Sequence, residues 1–85
     1  MMNNKVLVEV FVPASGDKFD VFIPLESRMS EVVQLVSGVL SDLTDGKYKA
    51  TKDAILCDST SGIIYNVNMA VAELGIKNGS QLMLI

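Results

Sequence analysis

The sequence predicts an α+β fold in which a mixed sheet of four to five strands packs on one main helix. Three observations predict it. Hydrophobic residues alternate with a period of two in residues 5–24, shift to a helical period across residues 28–43, and return to a period of two at the C-terminus. One sheet face and one helix stripe bury themselves against each other as two layers around a shared core. The 85 residues are read as a single domain spanning 1–85, of a size that buries only about 60–65% of its unfolded surface. Hydrophobic residues make up 49% of the chain, enough for such a core and too many for a disordered segment.

Val6, Val8, Val10 and Val12 alternate with Leu7, Glu9 and Phe11, the pattern of a strand with one face on a core. Turn chemistry interrupts it at Pro13, Ser15, Gly16 and Asp17. A second alternation then sets Phe19, Val21 and Ile23 against Lys18, Asp20 and Phe22, ending at Pro24. Two such runs across a short turn read as an antiparallel hairpin. The helical stripe follows: Met29, Val32, Val33, Val36, Val39, Leu40 and Leu43 fall at offsets of 0, 3, 4, 7, 10, 11 and 14. Ser27 is the expected N-cap, with Glu31 complementing the dipole in the first turns. Gly38, unfavourable inside a helix, is read as a point where a strand crosses closely, and Gly46 as the helix terminator.

Residues 47–53 are polar and expected to form a loop. Residues 54–57 read as a short strand, 58–62 as a turn and 63–65 as a further short strand. A single helical turn is expected at 71–74, a turn at 77–80 and a last strand at 81–85. The expected core joins the hairpin valines, the helix stripe, Leu56, Val71, Leu74, Ile76, Leu82 and Leu84.

Composition excludes several functions. With 7 basic and 10 acidic residues the net charge is −3, and the lysines are scattered apart from Lys47, Lys49 and Lys52, which Asp45 and Asp53 flank. Nucleic-acid binding needs concentrated positive charge, so no nucleic-acid partner is expected. No apolar run approaches the ~20 residues that span a bilayer, and no direct membrane insertion is expected. The start, Met1-Met2-Asn3-Asn4-Lys5, lacks the form of a signal peptide, which points to a cytoplasmic protein. One cysteine, Cys57, suits a reducing compartment and reads as a small buried hydrophobe.

Nor do the residues suggest chemistry. There is no histidine to activate a nucleophile and no Cys/His spacing for zinc. Asp42, Asp45, Gly46 and Asp53 lack the early acidic positions of a calcium loop. Asp58-Ser59-Thr60-Ser61-Gly62 has a passing likeness to an aspartic-protease signature, but its glycine is displaced, and it reads as a polar turn. No glycine-rich phosphate loop precedes the helix. No catalytic residue, metal ligand or cofactor is assigned.

The opening hairpin, the helix after Ser27 and the closing pattern Val71-x-x-Leu74-x-Ile76-x-x-Gly79-x-x-Leu82-x-Leu84 together resemble the ubiquitin-like β-grasp layout over nearly the whole chain. The tail from Leu74 to Leu82, with Asn78-Gly79 before the last strand, and the run Phe19-Asp20-Val21-Phe22-Ile23-Pro24 are similar to the YukD/EsaB-like family. Those are small ubiquitin-like components of Gram-positive type VII (ESX-like) secretion systems. The resemblance implies a cytoplasmic accessory or regulatory role at the cytoplasmic face of a secretion complex. Membrane components or the secretion ATPase would be its partners. The sequence closes on Leu84-Ile85 without a flexible Gly-Gly tail, so neither conjugation nor sulfur carriage is expected.

A candidate interaction surface lies on the sheet face away from the helix. If the hairpin valines point inward, Leu7, Phe11, Phe22, Met83 and Ile85 point outward. In a ubiquitin-like sheet the first and last strands are central neighbours, which would gather Leu7, Phe11, Met83 and Ile85. An apolar patch of this kind marks a docking face; the competing reading is that neighbouring side chains cover it or that the strands sit one register over. Homodimerisation through this face or an edge strand is a variant. From a different class, the chain could be a small non-catalytic subunit of a multicomponent enzyme such as an oxygenase.

Overall fold

The computed structural model describes residues 4–85, so the expectation drawn from residues 1–3 lies outside the described residues. The first alternating run forms β1 (Lys5–Val12) and the second forms β2 (Asp17–Pro24), paired antiparallel from Lys5↔Pro24 to Val12↔Asp17. Between them the N–H groups of Ser15 and Gly16 both donate to the Val12 carbonyl, at 3.1 and 2.8 Å. Gly16 closes this turn with a φ of 75°, a left-handed conformation that disfavours any Cβ. β3 (Leu56–Asp58) pairs antiparallel with β4 (Gln81–Leu84), which lies parallel to β1. The order across the sheet is β2-β1-β4-β3.

Among the described residues the sheet therefore has four strands. The short strand expected at 54–57 sits at 56–58, because the Ala54 N–H turns back to the Thr51 carbonyl, although Ile55 and Ile85 still exchange backbone hydrogen bonds of 3.0 and 2.9 Å. The strand expected at 63–65 shrinks to one bridge, Cys57↔Ile64. Asn66 cuts it short: its Oδ1 accepts the Asn68 N–H at 2.9 Å and its carbonyl accepts the Met69 N–H at 3.2 Å, turning the chain off the sheet.

The helical stripe forms α1 (Met29–Leu43). Its N-cap is Arg28 rather than Ser27. The Arg28 N–H donates to Glu31 Oε1 at 3.2 Å, whereas the Ser27 carbonyl accepts the Val71 N–H at 3.0 Å. Helix starts leave their first N–H groups without intrahelical partners. Here the Met69 and Val67 carbonyls accept those of Met29 and Ser30, at 2.9 and 3.0 Å, so this end offers no open anion site. At the other end Thr44 Oγ1 donates to the Leu40 carbonyl at 2.7 Å and accepts the Tyr48 N–H at 3.0 Å. Gly46 terminates the helix as expected, with a φ of 80° and its N–H on the Ser41 carbonyl.

Met29, Val32, Val33, Val36 and Leu40 are buried against the sheet, but Val39 and Leu43 are exposed, Leu43 by 55%. The buried arc is rotated toward Ser37, whose hydroxyl lies 3.2 Å from the Tyr48 hydroxyl in the interior. Tyr48, in a stretch that reads as a polar loop, is only 5% exposed and belongs to the core. That core otherwise takes the expected residues: Val6, Val8, Val10, Val12, Ile23, Leu56, Val71, Ile76, Leu82 and Leu84 are buried, while Leu74 packs at the margin. No strand crosses at Gly38; a Cβ placed there meets no atom within 4 Å. Residues 71–74 form a single 3-10 turn, as expected.

Candidate protein-interaction surface

Because Val6, Val8, Val10 and Val12 are buried toward α1, alternation sends Lys5, Leu7, Glu9 and Phe11 to the opposite face of the sheet. Strand register fixes what stands beside each of them. Leu7 faces Phe22; Glu9 faces Asp20 on one side and Gln81 on the other; Phe11 lies between Lys18 and Met83. Met83 in turn faces Cys57, which bridges to Ile64, and Ile85 is paired with Ile55. The outer face is thus a set of cross-strand rows, two residues and about 7 Å apart.

All five residues expected on this face are there, with Phe22 58% and Ile85 56% exposed and Leu7, Phe11 and Met83 partly covered. They do not form one patch, and Leu7 does not join Phe11, Met83 and Ile85. The polar row Asp20–Glu9–Gln81 runs between them, because residues two apart on one strand share a face and Glu9 separates Leu7 from Phe11. The larger apolar area is Phe11, Met83 and Ile85, extended by Ile55 and Ile64 around the buried Cys57. Those three extra members were hidden in the sequence, since 54–58 is too short an alternation to assign faces until its pairing with β4 is known. The smaller area is the cross-strand pair Leu7–Phe22, which walls an open groove of about 450 Å³ whose lining also includes Glu9, Asp20, Asn78 and Gln81.

The turn before β4 holds that groove in place. Asn78 Oδ1 accepts the Leu7 N–H at 2.8 Å, the Gly79 N–H donates to the Leu7 carbonyl at 2.9 Å, and Ser80 Oγ accepts the Lys77 N–H at 3.0 Å. Asn-Gly serves here because Gly79 takes a φ of 88°.

Several other polar groups are engaged structurally. Cys57 is buried on the outer face, its thiol donating to the Met83 carbonyl at 3.7 Å; burial first, and the Asp58 carboxylate second, push its pKa up. Burial raises Tyr65 as well, with Asp58 and then Cys57 adding to the effect. A thiol held protonated is a poor nucleophile. Asp58 caps its own turn, its Oδ1 accepting the Thr60 N–H at 2.9 Å, which accounts for the protease-like run as local architecture. Among the described residues no three His, Cys, Asp or Glu side chains gather as a metal site, and no helix is long and apolar enough to cross a membrane. A second exposed apolar line, Leu35, Val39 and Leu43, follows successive turns of α1; Leu35 was not singled out in the sequence.

No protein-family model matches the sequence, and no characterised protein matches it by sequence. Solved structures do match by shape. The EccD5 ubiquitin-like domain from Mycobacterium xenopi overlays 98% of this chain and 94% of its own with a TM-score of 0.79, at 15% identity. A chain of the MycP5-free ESX-5 inner membrane complex overlays 98% of this chain with a TM-score of 0.80 and 16% identity; this chain spans 21% of its length. A chain of a toluene 4-monooxygenase complex overlays 94% of this chain and 95% of its own, with a TM-score of 0.74 and 15% identity. With the first and last strands parallel at the centre of a mixed sheet and one helix across it, the fold of this chain is the ubiquitin-like β-grasp.

Proposed function

We propose that residues 1–85 are one ubiquitin-like domain acting as a non-catalytic protein-interaction module, a cytoplasmic accessory or regulatory component of a type VII (ESX-like) secretion system of the YukD/EsaB-like kind. The observation that carries this reading is the apolar band of Phe11, Met83 and Ile64 around the buried Cys57, continued by Ile55 and Ile85, on the sheet face that α1 leaves uncovered. Apolar area concentrated in this way on a small domain marks a docking face. Its partners are proteins: membrane components of the secretion complex or its ATPase, met at the cytoplasmic face. The shape shared with ubiquitin-like domains of type VII secretion supports this choice of system.

Phe11→Glu and Met83→Glu test it, because each puts a charge on the band while leaving the inward valines untouched. Both variants are expected to keep the circular dichroism of the parent and to lose co-purification with the secretion components. Unfolding of both would make Phe11 and Met83 core residues and remove the docking face. The likeness to a chain of an oxygenase complex favours a second reading, a non-catalytic subunit of a multicomponent enzyme. Gene neighbourhood separates the two: oxygenase subunits beside this gene favour the second, WXG-type substrates with a membrane ATPase the first.

A further inference from the structure

The groove between Leu7, Phe22 and the 78–81 turn has apolar walls and an acidic floor, and no partner among the described residues answers its charge. The Leu25 N–H donates to the Asn4 carbonyl at 2.7 Å, which makes residues 4 and 25 a hydrogen-bonded pair. Counting along the register from there, Glu9 and Asp20 form a non-hydrogen-bonded pair, the geometry in which opposed Cα atoms stand only about 4.5 Å apart and side chains come closest. Like charges directly opposite on one sheet face destabilise it. Among the described residues neither carboxylate has a hydrogen-bond or ion-pair partner. The nearest cation on this face, Lys18, stands in the next row opposite Phe11. Beside the pair, Leu7 and the exposed Phe22 ring offer an apolar and aromatic surface, and Gln81 and Asn78 close the far side.

A lone apolar groove could take any hydrophobic side chain, and a lone acidic pair any cation. Together they select a side chain with an apolar stem and a positive head. Arginine fits best: its stem lies along apolar walls, its planar head bridges two carboxylates, and it stacks on an aromatic ring. We propose that this groove receives one arginine side chain of a protein partner, its guanidinium between Glu9 and Asp20 and its stem against Leu7 and Phe22. This rests on the docking reading of the outer face and adds the chemistry of the partner: a segment in which an arginine is bracketed by apolar residues, the latter meeting the Phe11–Met83 band one row away.

The test is a titration of the ¹⁵N-labelled protein, followed by amide shifts, with the blocked pentapeptide acetyl-Val-Leu-Arg-Leu-Val-amide and with its glutamine analogue. The arginine peptide is expected to shift the amides of Leu7, Glu9, Asp20, Phe22 and Gln81. The glutamine analogue should bind about tenfold more weakly, the loss of one charge-assisted contact. The Glu9→Gln/Asp20→Asn variant should bring the two peptides to the same affinity while keeping the parent spectrum, and raising salt from about 50 to 500 mM should weaken only the arginine peptide. Equal binding of both peptides on this face overturns the arginine site and leaves the docking face standing. Shifts elsewhere, or none with either peptide, overturn the site. Shifts of these amides that grow with protein concentration in the absence of peptide also overturn it, assigning the groove to a second copy of the chain.

Discussion

Tyr48 and Ser37 share a buried hydroxyl pair that ties the segment after α1 to the helix, so their removal tests how that segment is held. Ser37 is 1% exposed and its Oγ lies 3.2 Å from the Tyr48 hydroxyl. Tyr48→Phe keeps the ring in the core but strands the serine hydroxyl, whose remaining recourse is to bend back to the carbonyl four residues earlier in the helix. Leaving a buried polar group unsatisfied costs about 1–3 kcal/mol. Ser37→Ala strands the tyrosine hydroxyl in the same way and is expected to cost about as much. The double variant removes both groups and leaves no orphan, so it should lose no more than either single one. In urea, with a slope near 1 kcal/mol/M for a protein of this size, a loss of about 2 kcal/mol lowers the midpoint by about 2 M. The corresponding fall in Tm is about 4–8 °C for each kcal/mol. Far-UV circular dichroism follows both transitions. If the double variant loses the sum of the two single losses, the hydroxyls act independently and the reasoning fails.

Gly38→Ala should stabilise the protein by about 0.5–1 kcal/mol, because the position is helical and open around the added methyl; a lower urea midpoint would mean an unseen contact there. Glu9→Gln should also raise the midpoint, by a few tenths of a kcal/mol, through relief of the repulsion with Asp20, and the gain should shrink in high salt. Alkaline pH should destabilise the fold. Cys57 and Tyr65 hold their protons more tightly when folded, so stability is full below the ordinary thiol value of 9.0. It falls as the pH rises through the folded value, because the unfolded chain ionises first, and Tyr65 adds to the loss beyond its ordinary 10.0. Cys57→Ala should flatten the decline between those two values; an unchanged slope would clear the thiol.

Much of this architecture was legible because long alternations and a fifteen-residue stripe leave little choice of element. β1, β2 and the body of α1 fall where their periodicity puts them. What escaped the reading depends on partners far along the chain. Ser27 looks like a cap, yet its carbonyl is taken by Val71, and the cap passes to Arg28. Tyr48 sits among Lys47, Lys49 and Lys52, and only the helix above it reveals that its ring is interior. The candidate surface was half legible for the same reason. Period two gives the outward direction of Leu7, Phe11, Phe22, Met83 and Ile85, whereas their grouping requires the β1–β4 register, which sets Glu9 beside Gln81 as a polar divide.

The parallel pairing of β1 with β4 has a bearing on how the molecule is made. Val8 and Val10 leave the ribosome well before Leu82 and Leu84, which complete their burial. Until β4 emerges the hairpin carries an unsheltered apolar face and an open central edge, the conditions under which nascent chains misassociate or recruit chaperones. Closure is a long-range event, so this domain should acquire its stability only once translation has passed β4.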